Sequence, residues 1–252
     1  FKKNFKKTDP LICFSVKSNS NSEILREIKR SGLGADVVSK GELMKSIKLG
    51  INPKKIVFSG VGKTFDELNY AISKNILLIN CESEGEINKI EMIAKARKKK
   101  VDIGIRLNPN IDPKTIKKIT TGRSGDKFGI EKSNLVKIVK NYKDSKNLNI
   151  RCLSVHIGSQ ITNHGPYLKM LNALSSVIIK CKHNFDYIDL GGGMGINYNN
   201  KDKKLNYKKY NFFIEKFLKK HSSKLIFEPG RSIIADTALL LTKIVYVKKT
   251  KN

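Results

Sequence analysis

The first apolar run of the chain is Leu11-Ile12-Cys13-Phe14-Ser15-Val16-Lys17-Ser18, and it ends at a lysine. Its branched and aromatic residues predict a buried β-strand. A lysine at the end of such a strand most often extends its amine into solvent. The same arrangement, an apolar run that ends at a polar side chain, recurs along the chain. This recurrence predicts the fold.

Eight strand-like runs alternate with segments of helical periodicity, such as the one that contains Ile24, Leu25 and Ile28. Alternating strands and helices predict an α/β fold with a parallel sheet, and eight strands are the number that closes a TIM (β/α)8 barrel. An open doubly wound sheet has the same periodicity. The predicted strands are residues 11–16, 35–38, 55–58, 76–80, 101–107, 150–156, 187–190 and 224–227.

The positions of the polar signals favour the barrel over the open sheet. Each of six signals falls at or near the C-terminal end of a different predicted strand. In a closed barrel these ends form one rim, where the side chains converge, whereas in an open sheet they would be spread along an edge. The six are Lys17, Asp36, Arg106, His156, the run Gly191-Gly192-Gly193, and Glu228.

Two segments between strands carry further signals. Ser83 followed by Glu86 is a capping-box pattern, and it predicts the start of a helix with Ile87, Ile90 and Ile93 on one face. Residues 108–127 form a long polar connection after the fifth strand. Loops of this length in a compact domain are usually functional, and this one is predicted to overhang the rim.

The composition argues against several classes of protein. The chain has 252 residues with 39% hydrophobic and 29% charged residues, which is typical of a folded globular domain. The net charge of +28 is spread along the chain, without an aromatic-interleaved basic motif, so we do not expect a nucleic-acid partner. No apolar run approaches the length of a membrane span, so we expect no membrane contact.

The four cysteines, Cys13, Cys81, Cys152 and Cys181, are far apart and form no Cys-x-x-Cys pair. We therefore expect neither a metal site nor disulfides. Cys13, Cys81 and Cys152 lie in apolar, strand-like surroundings, which predicts buried thiols and a cytoplasmic location.

The polar signals together predict a site for pyridoxal 5′-phosphate. Lys17 is an amine able to form a Schiff base with the aldehyde. The Gly191–193 run and Gly230 follow the last two strands, where barrels commonly bind phosphate through backbone N–H groups. Glu228 is a carboxylate for the pyridine nitrogen, and it keeps the ring a strong electron sink. Taken singly, each signal has an ordinary structural explanation, such as a flexible turn.

Other residues complete the predicted site. His156 is expected to lie on the face of the cofactor ring, and Ser159 to reach the phosphate with its hydroxyl. Arg231 is a planar donor fork suited to a carboxylate or a phosphate. Asp36 either contacts the Schiff-base region or caps the following helix, and Arg106 either positions the cofactor or pairs with Asp36.

The motifs resemble those of the fold-type III pyridoxal-phosphate decarboxylases. The family's Tyr-Ala-Val-Lys-Ala-Asn is similar to residues 14–19, and its Asp-Val-Val-Ser…Gly-Glu-Leu is similar to residues 36–43. Lys127-Phe128-Gly129-Ile130 matches Lys-Phe-Gly-Ile, and residues 156–160, 191–195 and 228–233 match in order. The resemblance implies a barrel of the alanine racemase-like, cofactor-binding type.

The resemblance also implies an activity and roles for residues. The implied reaction is decarboxylation of meso-2,6-diaminopimelate to L-lysine. Gln160 and the Lys-Phe-Gly-Ile segment favour diaminopimelate over ornithine as the substrate. Ornithine or arginine as the substrate, or a non-catalytic cofactor carrier, are the alternatives. The catalytic residues are Lys17 and His156, and Arg231 also contacts the substrate. The cofactor-binding residues are Lys17, Asp36, Arg106, His156, Ser159, Gly191, Gly192, Gly193, Glu228, Pro229, Gly230 and Arg231.

The resemblance finally predicts the domain organisation. Residues 1–237 are expected to form the barrel, and residues 238–252 the first strand of a truncated C-terminal β domain. In the family, that domain carries a Cys-Glu-Ser motif that acts across a dimer interface. We do not equate it with Cys81-Glu82-Ser83, which opens a helix. We therefore expect a homodimer for the longer protein, and cofactor binding with poor turnover for this segment.

Overall fold

The strands and helices alternate as the sequence predicts in the computed structural model, which describes residues 1–115, 120–198, 205–239 and 241–249. Its strands are β1 (Leu11–Ser15), β2 (Gly34–Val37), β3 (Ile56–Phe58), β4 (Leu78–Cys81), β5 (Val101–Asn108), β6 (Ile130–Glu131), β7 (Leu148–Val155), β8 (Tyr187–Asp189) and β9 (Lys224–Phe227). Its α-helices are α1 (Ser22–Arg30), α2 (Lys40–Lys48), α3 (Phe65–Ser73), α4 (Glu84–Ala96), α5 (Lys132–Tyr142), α6 (Gly165–Cys181), α7 (Tyr207–Leu218) and α8 (Arg231–Ile234). Short 3-10 turns cover Lys2–Phe5, Val16–Ser18 and Pro53–Lys55.

Eight of the strands close into a parallel barrel. β1 pairs with β2 on one side and with β9 on the other, and β4 pairs with β5, so the ring has no open edge. The TIM-barrel prediction is confirmed, and the open doubly wound sheet is excluded. All eight predicted strand runs correspond to barrel strands, with ends that differ by a few residues.

β6 is the strand that the sequence did not predict. It has two residues, Ile130 and Glu131, and it pairs with Leu107 and Asn108 at the end of β5. Two residues are too few for a periodic signal, and α5 begins directly after them. β6 brings the segment around Gly129 against the rim of the barrel.

Several of the helices begin at polar capping residues. The side chains of Asn21, Ser39, Thr64 and Ser83 each accept a backbone N–H in the first turn of a helix. The predicted start of α4 at Ser83 is confirmed, with Ile87, Ile90 and Ile93 buried. The capping box is only half formed, because the Glu86 carboxylate accepts the N–H of Glu82 rather than that of Ser83.

Two apolar clusters form the core. The larger one lies between the strands and the surrounding helices. The smaller one joins side chains from several strands, with Cys13, Val57, Leu78, Cys152 and Ile226 among them. Because successive strand residues alternate between faces, these residues mark the face that points into the barrel. Cys13, Cys81 and Cys152 are buried free thiols, as predicted.

The C-terminal residues are the least packed of the described chain. Residues 241–249 have no regular secondary structure, and their apolar side chains are exposed, with Leu241 at 98% and Tyr246 at 92%. The strand predicted for residues 238–252 remains a prediction, and residues 240 and 250–252 lie outside the described residues. Among the described residues, no helix is long and apolar enough to cross a membrane.

Candidate active site

A layer of polar side chains lies at the C-terminal mouth of the barrel. On each contributing strand, the polar residue follows an inward-facing small or apolar residue by two positions, so that it points the same way but lies one layer nearer the mouth. The pairs are Cys13 and Ser15, Val57 and Ser59, Leu78 and Asn80, Gly104 and Arg106, Cys152 and Ser154, and Ile226 and Glu228.

Two adjoining cavities open at this mouth. The first has a volume of about 440 Å³ and is lined by Lys17, Asp36, His156, Ser159, Gly193, Glu228, Gly230 and Arg231 among others. The second, of about 350 Å³, shares Lys17, His156 and Glu228 with the first and adds Arg106. The structure therefore brings together nine of the twelve predicted site residues. Gly191, Gly192 and Pro229 line neither cavity.

Glu228 and Asp189 form a close pair of carboxyl groups. Burial, reinforced by Asp189 and Asp36, raises the pKa of Glu228 well above its usual range. Burial also raises the pKa of Asp189, to about 6, although a hydrogen bond from Glu228 opposes that change. The pair therefore retains a proton that rests on Glu228, which donates it to Asp189.

Asp36 faces the same cavity from β2. Its Oδ2 accepts a hydrogen bond from the Ser15 hydroxyl at 2.8 Å, and its Oδ1 is buried without a partner in the protein. An unpaired buried oxygen is a position at which a ligand donor is favourable. Asp36 does not cap α2, because Ser39 occupies that position.

His156 is fixed as a neutral imidazole. Its Nδ1 accepts the backbone N–H of Gly192 at 3.1 Å, so the ring proton lies on Nε2. Burial, together with the nearby charges of Arg106 and Lys17, lowers its pKa well below the usual value. The ring borders both cavities, where a flat ligand can lie against it.

Arg106 has a different partner from the one that the sequence suggested. It forms an ion pair with Glu82 at 2.7 Å, and both side chains are nearly inaccessible to solvent. Pairing with Asp36 is wrong because Asp36 lies on β2, whereas Glu82 directly follows β4, the neighbour of β5. Arg106 also lies 4.9 Å from the centre of the Phe128 ring, and it donates to the carbonyl oxygen of His156 at 3.4 Å.

The glycine run allows close backbone approach at the mouth. Gly191 has a φ of +62° and Gly193 a φ of +88°, and a Cβ at Gly193 would collide with the carbonyl oxygen of Gly158. The N–H of Gly191 already donates to Asp189, and that of Gly192 to His156. Of the three, only Gly193 lines the first cavity. Cofactor binding by Gly191 and Gly192 remains a prediction.

Arg231 begins α8 after Gly230, at one side of the first cavity. Its Nε donates to the Ser159 hydroxyl at 3.1 Å, and its Nη1 donates to the Tyr198 hydroxyl at 2.6 Å. A guanidinium, a hydroxyl and the backbone of Gly193 together form a site suited to a phosphate or a carboxylate. Tyr198 was not predicted from sequence.

The predicted loop lies against the rim. Thr121 donates to the carbonyl oxygen of His156 at 2.9 Å, and the Asn108 amide holds the carbonyls of Arg123 and Phe128 at 3.0 Å. The described part of residues 108–127 thus packs against the segment that carries His156. Residues 116–119 lie outside the described residues.

Sequence reasoning missed Ser59, Asn80 and Asp189 as members of the site. Ser59 donates to Glu228 at 3.2 Å, and Asn80 donates to Asp189 at 2.9 Å. Small polar residues at strand ends are common, so none of the three was conspicuous. The two-residue spacing from an inward-facing apolar residue was the available signal for Ser59 and Asn80.

The residues at the mouth fit pyridoxal 5′-phosphate. Lys17 offers an amine for the aldehyde, and Glu228 offers a carboxyl group for the pyridine nitrogen. Arg231, Ser159 and Gly193 offer the donors that a phosphate needs. A neutral imidazole borders the same space, and the unpaired Oδ1 of Asp36 is an acceptor there.

Comparison with known proteins supports this fit. The family model described as "Pyridoxal-dependent decarboxylase, pyridoxal binding domain" matches residues 1–235. A diaminopimelate decarboxylase of Zymomonas mobilis is 38% identical over 245 residues, which are 96% of this chain and 58% of that protein. A diaminopimelate decarboxylase of Helicobacter pylori is 38% identical over 257 residues, covering 100% of this chain and 63% of that protein. The chain thus spans about three fifths of the length of these relatives.

Solved structures agree with the sequence relatives. The crystal structure of diaminopimelate decarboxylase from Helicobacter pylori complexed with L-lysine aligns with a TM-score of 0.89 and 38% identity, over 94% of this chain and 60% of that chain. An arginine decarboxylase from Paramecium bursaria Chlorella virus aligns with a TM-score of 0.76 at 22% identity, over 91% of this chain and 60% of that chain. The second likeness bears on the fold alone.

Proposed function

We propose that this chain, which belongs to the family of pyridoxal-dependent decarboxylases through their pyridoxal-binding domain, is the cofactor-binding part of a larger enzyme. That enzyme converts meso-2,6-diaminopimelate to L-lysine and CO2. The observation that carries the proposal is the convergence of Lys17, Glu228 and Arg231 on one cavity. The names of the relatives supply the substrate.

When bound, pyridoxal 5′-phosphate supplies an electron sink for the electron pair that remains on the substrate as a carboxylate leaves. Lys17 provides the amine that attaches the cofactor covalently. It stands in the short 3-10 turn after β1 and lines both cavities, so its amine has space on either side. That position supports a role in both holding the cofactor and yielding its place to a substrate amine.

Glu228 orients the cofactor through the pyridine nitrogen. A carboxylate beside this nitrogen would accept its N–H and favour its protonated form, which withdraws electrons more strongly. The raised pKa of Glu228 supports this role, because burial and the neighbouring carboxyl groups leave its negative charge uncompensated and so favour a cationic partner. It also argues against a non-catalytic cofactor carrier, since a carrier has no carbanion to stabilise.

Arg231, Ser159, Gly193 and Gly230 bind the phosphate in this proposal. Arg231 already donates to Ser159, so the guanidinium and the hydroxyl lie next to each other before any ligand arrives. Arg231 is exposed toward the same cavity and is also proposed to contact a substrate carboxylate. His156 lies against the cofactor ring as a neutral imidazole, which adds no charge to the ring face.

In the overall reaction, the bond between the α carbon and one carboxylate breaks, CO2 leaves, and a proton takes its place. We propose that the proton donor comes from a C-terminal β domain of a partner subunit in a homodimer, as the family resemblance implies. The exposed apolar side chains of residues 241–249 support a packing partner at this end of the barrel. The buried free thiols Cys13, Cys81 and Cys152 support a cytoplasmic location.

A decarboxylase of ornithine or arginine is the second candidate, because the description of the matching family model names the cofactor and the reaction but no substrate. The test is CO2 release from meso-diaminopimelate, ornithine and arginine. It should use a chain extended to the length of the relatives, with this 252-residue chain beside it. We expect activity on meso-diaminopimelate in the extended chain, and poor turnover here. A preference for ornithine or arginine would replace the substrate, and equal turnover by both chains would refute the need for a second domain.

A further inference from the structure

Asn80 connects two side chains that contact Glu228. It lies at the C-terminal end of β4 with 2% of its surface exposed. Its Nδ2 donates to Asp189 Oδ2 at 2.9 Å and lies 3.3 Å from the Ser59 hydroxyl, to which it also donates. Ser59 in turn donates to Glu228 Oε1 at 3.2 Å, and Asp189 accepts the proton of the Glu228 carboxyl. One amide therefore holds both neighbours of Glu228.

The surroundings of Asn80 fix the orientation of this amide. Gly104 on the neighbouring strand leaves room for the amide oxygen, since a Cβ at this position would collide with Asn80 Oδ1. The reverse orientation would place that oxygen against the Asp189 carboxylate. The buried Lys63 donates to the carbonyl oxygen of Asn80 at 2.9 Å and pairs with Glu86 at 2.6 Å, which holds the backbone here.

We propose that Asn80 is a positioning residue that holds Asp189 and Ser59 in place against Glu228, and so orients the Glu228 carboxyl toward the pyridine nitrogen. This inference rests on the proposed function, because that function supplies the nitrogen. An N–H donor favours the ionised form of the carboxyl it contacts. Asn80 donates to Asp189, so this hydrogen bond lowers the pH at which the carboxyl pair loses its proton.

Several charged or titratable groups face Glu228 and enter any pH dependence. They come from β1, β2, β7, β8 and the turn after β1. The groups are Cys13, Lys17, Asp36, Cys152 and Asp189. Asn80 donates a hydrogen bond to Asp189 alone among them, so a change in titration in the Asn80→Ala variant reports the lost amide.

The test is a pH titration of the carboxyl pair in the cofactor-free chain. The readout at each pH is the infrared band of the protonated carboxyl. The band is assigned by its loss in Glu228→Gln. In Asn80→Ala the Asp189 carboxylate loses a hydrogen bond, so we expect the pair to hold its proton to a pH higher by about one unit. The pH dependence of the visible absorbance of added pyridoxal phosphate should shift in the same variant.

Two further variants control this experiment. Asn108→Ala removes a second buried amide at a barrel strand end, one that contacts Arg123 and Phe128 but not the carboxyl pair. It should leave the titration unchanged. Ser59→Ala removes the other contact to Glu228 and keeps the proposal testable if Asn80→Ala does not fold. It should also raise the titration midpoint.

The outcomes separate this inference from the proposed function. A folded Asn80→Ala chain with the wild-type midpoint, or an equal shift in Asn108→Ala, would overturn the positioning role. If Asn80→Ala does not fold, an unchanged midpoint in Ser59→Ala would overturn it. Failure of pyridoxal phosphate to bind the wild-type chain would contradict the proposed function, while the carboxyl titration still decides the role of Asn80.

Discussion

At the scale of single residues, the mouth of the barrel concentrates negative charge that the protein does not fully neutralise. Asp36, Asp189 and Glu228 come from three different strands, and burial raises the pKa of both Asp189 and Glu228. Lys17 opposes this effect at Glu228 but does not outweigh it. Such an arrangement costs folding free energy and is typical of a binding or catalytic site.

The folding free energy that is lost by burying these carboxyl groups predicts how the stability of the chain depends on pH. The folded-state pKa values of Glu228 and Asp189 lie above their unfolded values, so this contribution to stability is fully present below about pH 4 and is lost as the pH rises to about 6 and beyond. Glu228→Gln removes the titrating group. At pH 8 we expect the cofactor-free variant to be more stable than the wild type by about 1–3 kcal/mol, at about 1.4 kcal/mol per pKa unit.

The measurement is urea unfolding of both chains at pH 5 and pH 8. The gain should be largest at pH 8 and should shrink toward pH 5, because the wild-type carboxyl is then protonated as well. Groups outside the carboxyl pair, including His156, are common to both chains and cancel in the comparison, whereas the contribution of Asp189 changes together with that of Glu228. A gain of the same size at the two pH values would argue against a raised pKa at Glu228.

The residues that sequence analysis identified share one property. Lys17, His156 and Glu228 are chemically conspicuous at the ends of apolar runs, and they belong to recognisable motifs. Ser59, Asn80 and Asp189 act by holding other side chains, and their roles depend on contacts between strands far apart in sequence. Local pattern could place them at strand ends but could not pair them.

At the scale of elements, a buried ion pair joins the end of β4 to β5 and to the segment before β6. Glu82 accepts from Arg106 at 2.7 Å and from the N–H of Gly129 at 2.7 Å. The sequence predicted Arg106 as a site residue that either positions the cofactor or pairs with Asp36, whereas the structure pairs it with Glu82. The correct partner follows a neighbouring strand, which only the barrel order reveals.

Removal of this carboxylate should destabilise the chain strongly. Glu82→Ala leaves the Arg106 guanidinium and the Gly129 N–H buried without their partner, with an expected cost of about 3–5 kcal/mol. The matched control is Glu27→Ala on α1, where both members of the pair with Arg30 are exposed, and its cost should stay below about 1 kcal/mol. Urea unfolding measures both. Similar costs for the two variants would show that the buried pair is not a structural link.

At the scale of the whole molecule, the fold class was predictable because alternation and strand number are local properties that add up along the chain. Closure of the barrel could not be predicted from local pattern, because it depends on the pairing of β1 with β9 across nearly the whole sequence. The closed barrel was instead favoured over an open sheet because the polar residues fall at the ends of different strands, which form one rim only in a barrel. β6 could not be predicted, because two residues are too few to show a periodic pattern.

The central claim is that one lysine of a lysine-rich chain carries the cofactor. The most direct test adds pyridoxal phosphate to the folded chain, reduces the product with borohydride, and maps the modified peptide by mass spectrometry beside Lys17→Ala. We expect one cofactor per chain, located at Lys17, with the visible absorbance band absent in the variant. Modification spread over many lysines, or an unchanged band in Lys17→Ala, would contradict the account.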